Sequence, residues 1–308
     1  LSLFEVAEVE KGMISIIADI RDLRTLQGAM QAAQPEIVIH MAAQSLVRLS
    51  YSEPVQTYAT NVMGTVNVLD SVRHTSSVRA VVVVTTDKCY ENREWEWGYR
   101  EVDTLGGFDP YSNSKACSEL VSSAYRSSYF TDKKIRLATA RAGNVIGGGD
   151  WSQDRLIPDL IRSFINKEEA LIRSPNSIRP WQHVFEPLRG YMMLAERLYA
   201  AETEEYSRAW NFGPTDQDCK SVEWIASKMS SLWGDNASWS ADSSPGLHEA
   251  KNLKLDTSLV TSKLGWQPIF NLEQGLAHLV EWNKEYLKSQ NARDISVAQV
   301  QKYIQQAG

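Results

Sequence analysis

The chain has 308 residues, 43% of them hydrophobic and 23% charged, and carries a net charge of −6. That balance describes a globular protein and excludes fibrous or disordered classes; it offers no basic field for nucleic acid, no apolar run of membrane-spanning length, and no charged-then-apolar leader. Its three cysteines, Cys89, Cys117 and Cys219, lack Cys-x-x-Cys or Cys/His ligand spacing, so neither a disulfide framework nor a metal site is expected, and a reducing cytoplasm is the simplest setting.

In chain order, residues 13–18 are the first short apolar run that reads as a buried strand, and Asp19-Ile20-Arg21 follows it. A helix is predicted over 23–33, then a strand over 36–41 that leads into Ala42-Ala43-Gln44. The spacing over 55–74 predicts a second helix, and the valine-rich run 79–85 a strand that ends at Thr85-Thr86-Asp87-Lys88. A helix over 113–129 and a strand over 135–140 complete this half, and Arg141-Ala142-Gly143-Asn144 comes next. Strand–helix alternation of this kind predicts an α/β fold, a Rossmann-like doubly wound parallel sheet with helices on both faces. Ligands in such folds bind beyond the carboxyl ends of the strands, where small and polar residues gather here.

After Asn144 the pattern loosens. Gly147-Gly148-Gly149 reads as a flexible polar stretch. Helices are predicted over 157–167, 186–201 and 221–233, with a short strand over 210–212 and closing helices over 272–287 and 297–306. This divides the chain into a dinucleotide-binding domain, 1–143 with roughly 182–214, and a smaller substrate domain, 144–181 with roughly 215–308. The ten tryptophans read mainly as packing residues, Trp151 and Trp181 lying in chemically rich segments.

The strongest local signal is Tyr111-Ser112-Asn113-Ser114-Lys115. Residues four apart share a helical face, so the Lys115 ammonium can approach the Tyr111 phenol and favour phenolate, a usable general base. Tyr129 and Lys133 have the same spacing. Position separates the two pairs: Tyr111 opens a helix after Pro110, just downstream of the strand that ends at Thr86.

Thr86, Tyr111 and Lys115 resemble the catalytic set of the short-chain dehydrogenases/reductases. Thr86-Asp87-Lys88, Met41-Ala42-Ala43-Gln44-Ser45-Leu46-Val47-Arg48, Asp87-Lys88-Cys89-Tyr90 and Arg179-Pro180-Trp181-Gln182-His183-Val184 are similar to the extended members that act as sugar-nucleotide 4,6-dehydratases, the CDP-glucose group above all. The resemblance covers essentially the whole chain. It implies NAD as cofactor and CDP-glucose or a related sugar nucleotide as substrate. Tyr111 is then the base at O4, Thr86 its hydrogen-bonding partner, and Lys115 the ribose holder. Asp87 is the acid for the C6 hydroxyl and Lys88 the base for the C5 proton.

By the same likeness, Asp19, Ile20, Ala42, Ala43, Gln44, Asn61 and Thr85 join Tyr111 and Lys115 in holding the cofactor. Asn144, Arg155, Leu156, Arg179, Asn211 and His248 are the expected substrate contacts. The family's Gly-x-x-Gly-x-x-Gly after a first strand does not occur, and Gly147-Gly148-Gly149 lacks the βαβ setting to replace it; a first strand and its glycine loop are expected to be missing from the chain. Relatives imply a homodimer or homotetramer through the 55–74 and 113–129 helices. A 4-epimerase, a dehydratase for another sugar nucleotide, and a catalytically silent nucleotide-binding module stay open at this point.

Overall fold

The computed structural model describes residues 1–131, 134–242 and 250–308. Among them are nine strands: β1 (Ile37–His40), β2 (Ala80–Val84), β3 (Arg136–Ala142), β4 (Asn144–Ile146), β5 (Ala170–Ile172), β6 (Ile178–His183), β7 (Ala209–Phe212), β8 (Cys219–Ser221) and β9 (Trp239–Ala241). Four form the main sheet in the order β1-β2-β3-β7, all pairs parallel. Successive side chains of β2 point to opposite faces. Ala80 and Val82 pack with Leu194, Leu198, Trp210 and Trp266, under the Phe185–Ala200 helix. Val81 and Val83 pack with Met30, Leu69, Val72, Phe130 and Leu137, under the Leu23–Ala33 and Gly64–Arg73 helices. The sheet is therefore doubly wound, with a separate apolar core on each face, and each fully buried aliphatic residue contributes on the order of 1.5–3 kcal/mol.

The second half builds smaller sheets. β4 pairs parallel with β6, β6 antiparallel with β8, and β5 parallel with β9. Ile157, Leu160 and Phe164 from the Leu156–Asn166 helix join Ile225, Met229 and Trp233 from the Val222–Trp233 helix, with Leu276 and Leu279 from the Leu272–Ser289 helix. Segment 259–266, expected with this half, instead packs Val260, Leu264 and Trp266 against the main sheet.

Three expectations need correction. Residues 13–18 form no strand. They run beside no ladder partner among the described residues, and Ile14 and Ile17 are 89% and 90% exposed; an apolar run becomes a strand only through its neighbour's hydrogen bonds. The 55–74 helix is not continuous: Pro54–Tyr58 and Gly64–Arg73 are joined by a wide π-helical turn, Ala59–Met63. Gly147-Gly148-Gly149 is packed rather than free. A Cβ on Gly148 would fall 2.2 Å from the Trp282 indole, which is why this position is glycine.

The helix that carries the Tyr-x-x-x-Lys pattern spans Pro110–Tyr125. Pro110 occupies its first turn, and the Asp109 carboxylate accepts from Ser112 N at 2.9 Å, a cap worth about 1 kcal/mol. Gly107 turns the chain into it at φ +89°, where a Cβ would stand 2.4 Å from the Ser112 carbonyl carbon. Tyr111 is thereby fixed in the first turn and buried. The matching pair lies elsewhere: Tyr129 is half-exposed with Arg73 over its ring, and Lys133 is outside the described residues.

Candidate active site

A cavity of about 740 Å³ opens at the carboxyl ends of the main-sheet strands, between that sheet and the smaller ones. Thr85, Thr86, Lys88, Tyr111, Asn144, Arg155, Leu156 and Arg179 all line it. β2 ends at Val84, and residues Asp87–Cys89 turn tightly in a 3₁₀ loop, with Thr86 Oγ1 accepting from Lys88 N at 3.4 Å.

From this turn a chain of polar contacts runs along the cavity wall. Thr86 stands beside the Tyr111 phenol and favours its ionised form. Thr86 Oγ1 donates to Asp87 Oδ1 at 3.0 Å. Lys88 Nζ donates to the same Asp87 oxygen at 3.3 Å and to Asn144 Oδ1 at 3.4 Å. Asp87 itself has no accessible surface, and its Oδ2 is buried without a hydrogen-bond partner. Phenol, hydroxyl and ammonium thus share one wall, with the Asp87 carboxylate buried behind it.

The electrostatics differ from the sequence expectation in one respect. Burial pushes the Tyr111 phenol up to about 12; the Thr86 side chain and the charge of Arg155 pull against it, and Asp87 and Asp109 reinforce it. Lys115, expected to be the tuning cation, directs its ammonium at Val84 O, 3.0 Å away. Its own value is held down to about 8 by burial, opposed by Glu119 and Cys89. Arg155 reaches the site from across the cavity, where its Nη2 donates to Ser45 Oγ at 3.0 Å. The neighbouring Asp154 meets Arg48 at 3.4 Å.

Asn61 organises the loop after β1. Its amide donates to Gln44 O and Ser114 Oγ, each at 2.9 Å, and its Oδ1 accepts from Gln44 N at 2.8 Å. Ala42 and Ala43 precede this clamp, Ala42 exposed and Ala43 half-buried. Asp19 lies at the surface with its carboxylate paired to Arg21, which holds it down to about 2. Asp22, not Asp19, caps the following helix. Ile20 packs against Gly64, and its carbonyl accepts from Asn67 Nδ2 at 2.9 Å.

Two expected contacts are corrected by their bonding. Asn211 is fully buried: its amide donates to Tyr99 O and Asp256 O at 2.7 and 3.1 Å and its Oδ1 accepts from Tyr90 at 2.7 Å, which leaves nothing for a substrate. The Thr85 hydroxyl donates to Glu119 Oε1 at 2.5 Å, so only the backbone of Thr85 can serve a cofactor. Arg179 is buried in the cavity wall on β6, with Nη1 donating to Ile178 O at 2.9 Å. His248 lies outside the described residues. Sequence reasoning missed Glu119, one helical turn beyond Lys115, and Arg141 opposite it on β3; the Tyr111–Lys115–Glu119 spacing was the available signal.

A Tyr-x-x-x-Lys helix that opens beneath a threonine at the end of a parallel strand, in a doubly wound sheet, defines a Rossmann-type short-chain dehydrogenase/reductase of the epimerase and dehydratase kind. Within that class, the chain belongs to the GDP-mannose 4,6 dehydratase family, whose profile matches residues 3–279. It is 52% identical over 98% of its length to CDP-glucose 4,6-dehydratase from Salmonella typhimurium, covering 86% of that protein. Among solved structures it resembles DesIV, a dTDP-glucose 4,6-dehydratase from Streptomyces venezuelae with NAD and TYD bound (TM-score 0.73, 25% identity, 87% of this chain and 78% of that one). A UDP-glucose 4-epimerase from Thermotoga maritima shares the fold (TM-score 0.78, 19% identity, 90% of this chain and 86% of that one).

Proposed function

We propose that this chain is an NAD-dependent hydro-lyase that converts CDP-glucose to CDP-4-keto-6-deoxyglucose and water. The observation that carries this reading is that Tyr111, Thr86 and Lys88 share one cavity wall with Asp87 bonded behind them, a set that suits both an oxidation and an elimination. The likeness to the Salmonella protein over nearly the whole chain favours CDP-glucose among sugar nucleotides.

Residues 1–143 with 182–214 and the 259–266 segment are assigned to the cofactor half, and 144–181 with the rest of 215–308 to the sugar nucleotide. The donor set fits NAD. Lys115 presents a buried ammonium, one of whose three N–H groups goes to Val84 O, leaving donors for ribose hydroxyls. Ala42, Ala43 and the Asn61–Gln44 clamp offer small side chains and fixed backbone beside it, and the backbone of Thr85 and the Asp19–Ile20 segment complete the groove. When bound, NAD supplies reversible hydride acceptance, from C4 and back to C6.

Tyr111, acting as phenolate, takes the O4 proton while Thr86 hydrogen-bonds that oxygen. Oxidation at C4 acidifies the C5 proton, which Lys88 removes as a neutral amine, its own proton having passed to Asp87 across their 3.3 Å contact. Asp87 protonates the departing C6 hydroxyl. This step requires its side chain to turn toward the cavity, where Oδ2, unpartnered in the resting site and now protonated, donates to the departing oxygen. Arg179 and Arg155, with fixed guanidinium forks, suit the diphosphate, and Asn144 and the Leu156 backbone the sugar nucleotide around it.

No helix among the described residues is long and apolar enough to cross a membrane; we assign the chain to the cytoplasm. Val55, Met63 and Leu120 expose apolar surface on the two helices beside the site, which supports a homo-oligomer formed through them. The test is incubation with CDP-glucose and NAD+ followed by mass analysis. Loss of one water per sugar is expected. An isomeric product of unchanged mass would make the protein a 4-epimerase, and no reaction would make it a binding module.

A further inference from the structure

The turn that bears Thr86, Asp87 and Lys88 is held at both ends by one buried ion pair. At its start, Thr85 Oγ1 donates to Glu119 Oε1 at 2.5 Å. Glu119 Oε2 accepts from Thr139 Oγ1 at 2.6 Å and from Arg141 Nη2 at 2.8 Å. At the far end, Arg141 Nη1 donates to the Tyr90 hydroxyl at 2.8 Å, and Tyr90 donates onward to Asn211 Oδ1 at 2.7 Å. Glu119 and Arg141 are 4% and 3% exposed and do not line the cavity.

A buried pair of this kind is a poor way to gain stability. Desolvating two charges costs about as much as their attraction returns, and apolar residues of the same volume often do as well or better. What it supplies is direction: each hydrogen bond is short, fixed and charge-assisted. Here those directions lead to Thr85 and Tyr90, the residues that bracket the reactive turn.

We infer that the Glu119–Arg141 pair positions the reactive groups: the carboxylate grips Thr85, the guanidinium grips Tyr90, and together they set where Thr86, Asp87 and Lys88 face the substrate. The inference rests on the dehydratase reading for its catalytic meaning. The same carboxylate lies one helical turn from Lys115 and favours its charged form against burial. Lys115 is faced by Glu119 from its own helix, Cys89 from the turn, and His40 from β1. Glu119 is faced by Arg141 from β3, Arg126 from the end of its own helix, and Cys89. Glu119 and Arg141 are thus positioning residues that touch no reacting atom.

The test uses the full chain with Glu119→Gln, which keeps the shape and removes the charge. The expected result is a kcat lower by roughly 100-fold with KM for CDP-glucose little changed, the signature of misplaced groups. The alkaline limb of the pH profile moves to lower pH, because Lys115 loses the anion that keeps it charged. Since this variant leaves a buried guanidinium without its counter-charge, Thr85→Val and Tyr90→Phe form a second arm. Each loosens one end of the turn, keeps the ion pair, and is expected to lower kcat by roughly 10-fold.

Thiol labelling reads the same device without turnover. Cys89 sits in the turn and is fully buried; in all three variants its alkylation rate rises relative to Cys117. Variants that merely melt at lower temperature, with wild-type kcat, pH profile and Cys89 labelling well below the midpoint, overturn the inference. A wild-type protein that leaves CDP-glucose unchanged overturns the function instead, and Cys89 labelling still decides the clamp.

Discussion

Lys88 Nζ stands 3.3 Å from Asp87 Oδ1, so the proposed base and the proposed acid of one elimination occupy adjacent positions on a single tight turn. Both proposed roles belong to elimination alone, so a defect in either separates it from the oxidation that precedes it. Lys88→Ala is expected to stop formation of the 4-keto-6-deoxy product, by the roughly 10²–10⁴-fold that a general base contributes, while leaving C4 oxidation partly intact. Reduced nicotinamide would then accumulate in the near-ultraviolet spectrum. Product at the normal rate would remove Lys88 from the mechanism.

Tyr111→Phe removes one oxygen from a residue that is 8% exposed and leaves the ring in place. Both oxidation and elimination are expected to fall by roughly 10²–10⁴-fold, with the melting temperature nearly unchanged. Full turnover in this variant would refute the assignment of the base.

Lys115 gives opposite signs for activity and stability. Its value falls from the ordinary 10.5 to about 8 on folding. Between those pH values the unfolded chain holds a proton that the folded one has released, so this group's contribution to stability rises with pH, by up to about 1.4 kcal/mol per pH unit. Activity that needs the ammonium declines over the same window. Lys115→Met should flatten the rise in melting temperature between pH 8 and 10; an unchanged slope would show that Lys115 titrates normally.

His183 and His40 predict the acid limit. Burial holds them down to about 3 and about 4, from 6.5, helped by the charges of His278 and Lys115 respectively. Both are neutral in the folded state and take up protons readily when unfolded. Their stability contribution is intact above pH 6.5 and is lost as pH falls toward those values, each by up to about 1.4 kcal/mol per pH unit. His183→Phe, within its ring cluster of Phe185 and Phe270, should make the acid melt shallower, measured by denaturant midpoints between pH 4.5 and 6.5.

Gly107→Ala strains the turn into the catalytic helix. A φ of +89° is open to glycine, and the added methyl meets the Ser112 backbone at 2.4 Å. A cost of about 1–3 kcal/mol is expected, together with lower kcat, since the displaced first turn carries Tyr111. Wild-type kcat with only a lower melting temperature would show that the helix start does not set the base.

The valine run of β2, the alternation with helices and the Tyr111–Lys115 spacing made the doubly wound sheet and half of the site readable from sequence, because they depend on period and local order. Residues 13–18 misled for the opposite reason: their apolar pattern is a strand's, but a strand needs a neighbour that periodicity does not reveal. Asn211 looked like a ligand contact because its polarity is visible and its partners are not; Tyr90, Tyr99 and Asp256 are far from it in sequence. Glu119 was overlooked as an ordinary helical charge, and only the fold shows Arg141 against it.

The wide turn at Ala59–Met63 spends one residue more than an α-helix needs. The Asn61 carbonyl accepts there from both Thr65 and Ser118 hydroxyls, at 2.6 and 2.9 Å. Deleting a single residue within it would restore a regular helix with the flanking faces still in phase, because the extra residue is what the wide turn absorbs. Asn67 would keep the Ile20 carbonyl and Leu69 and Val72 would stay against the sheet, but the Asn61 carbonyl would no longer stand between the Thr65 and Ser118 hydroxyls. An irregularity that looks like a flaw in the helix therefore acts as a docking point, turning one backbone carbonyl toward the neighbouring helix that carries Tyr111.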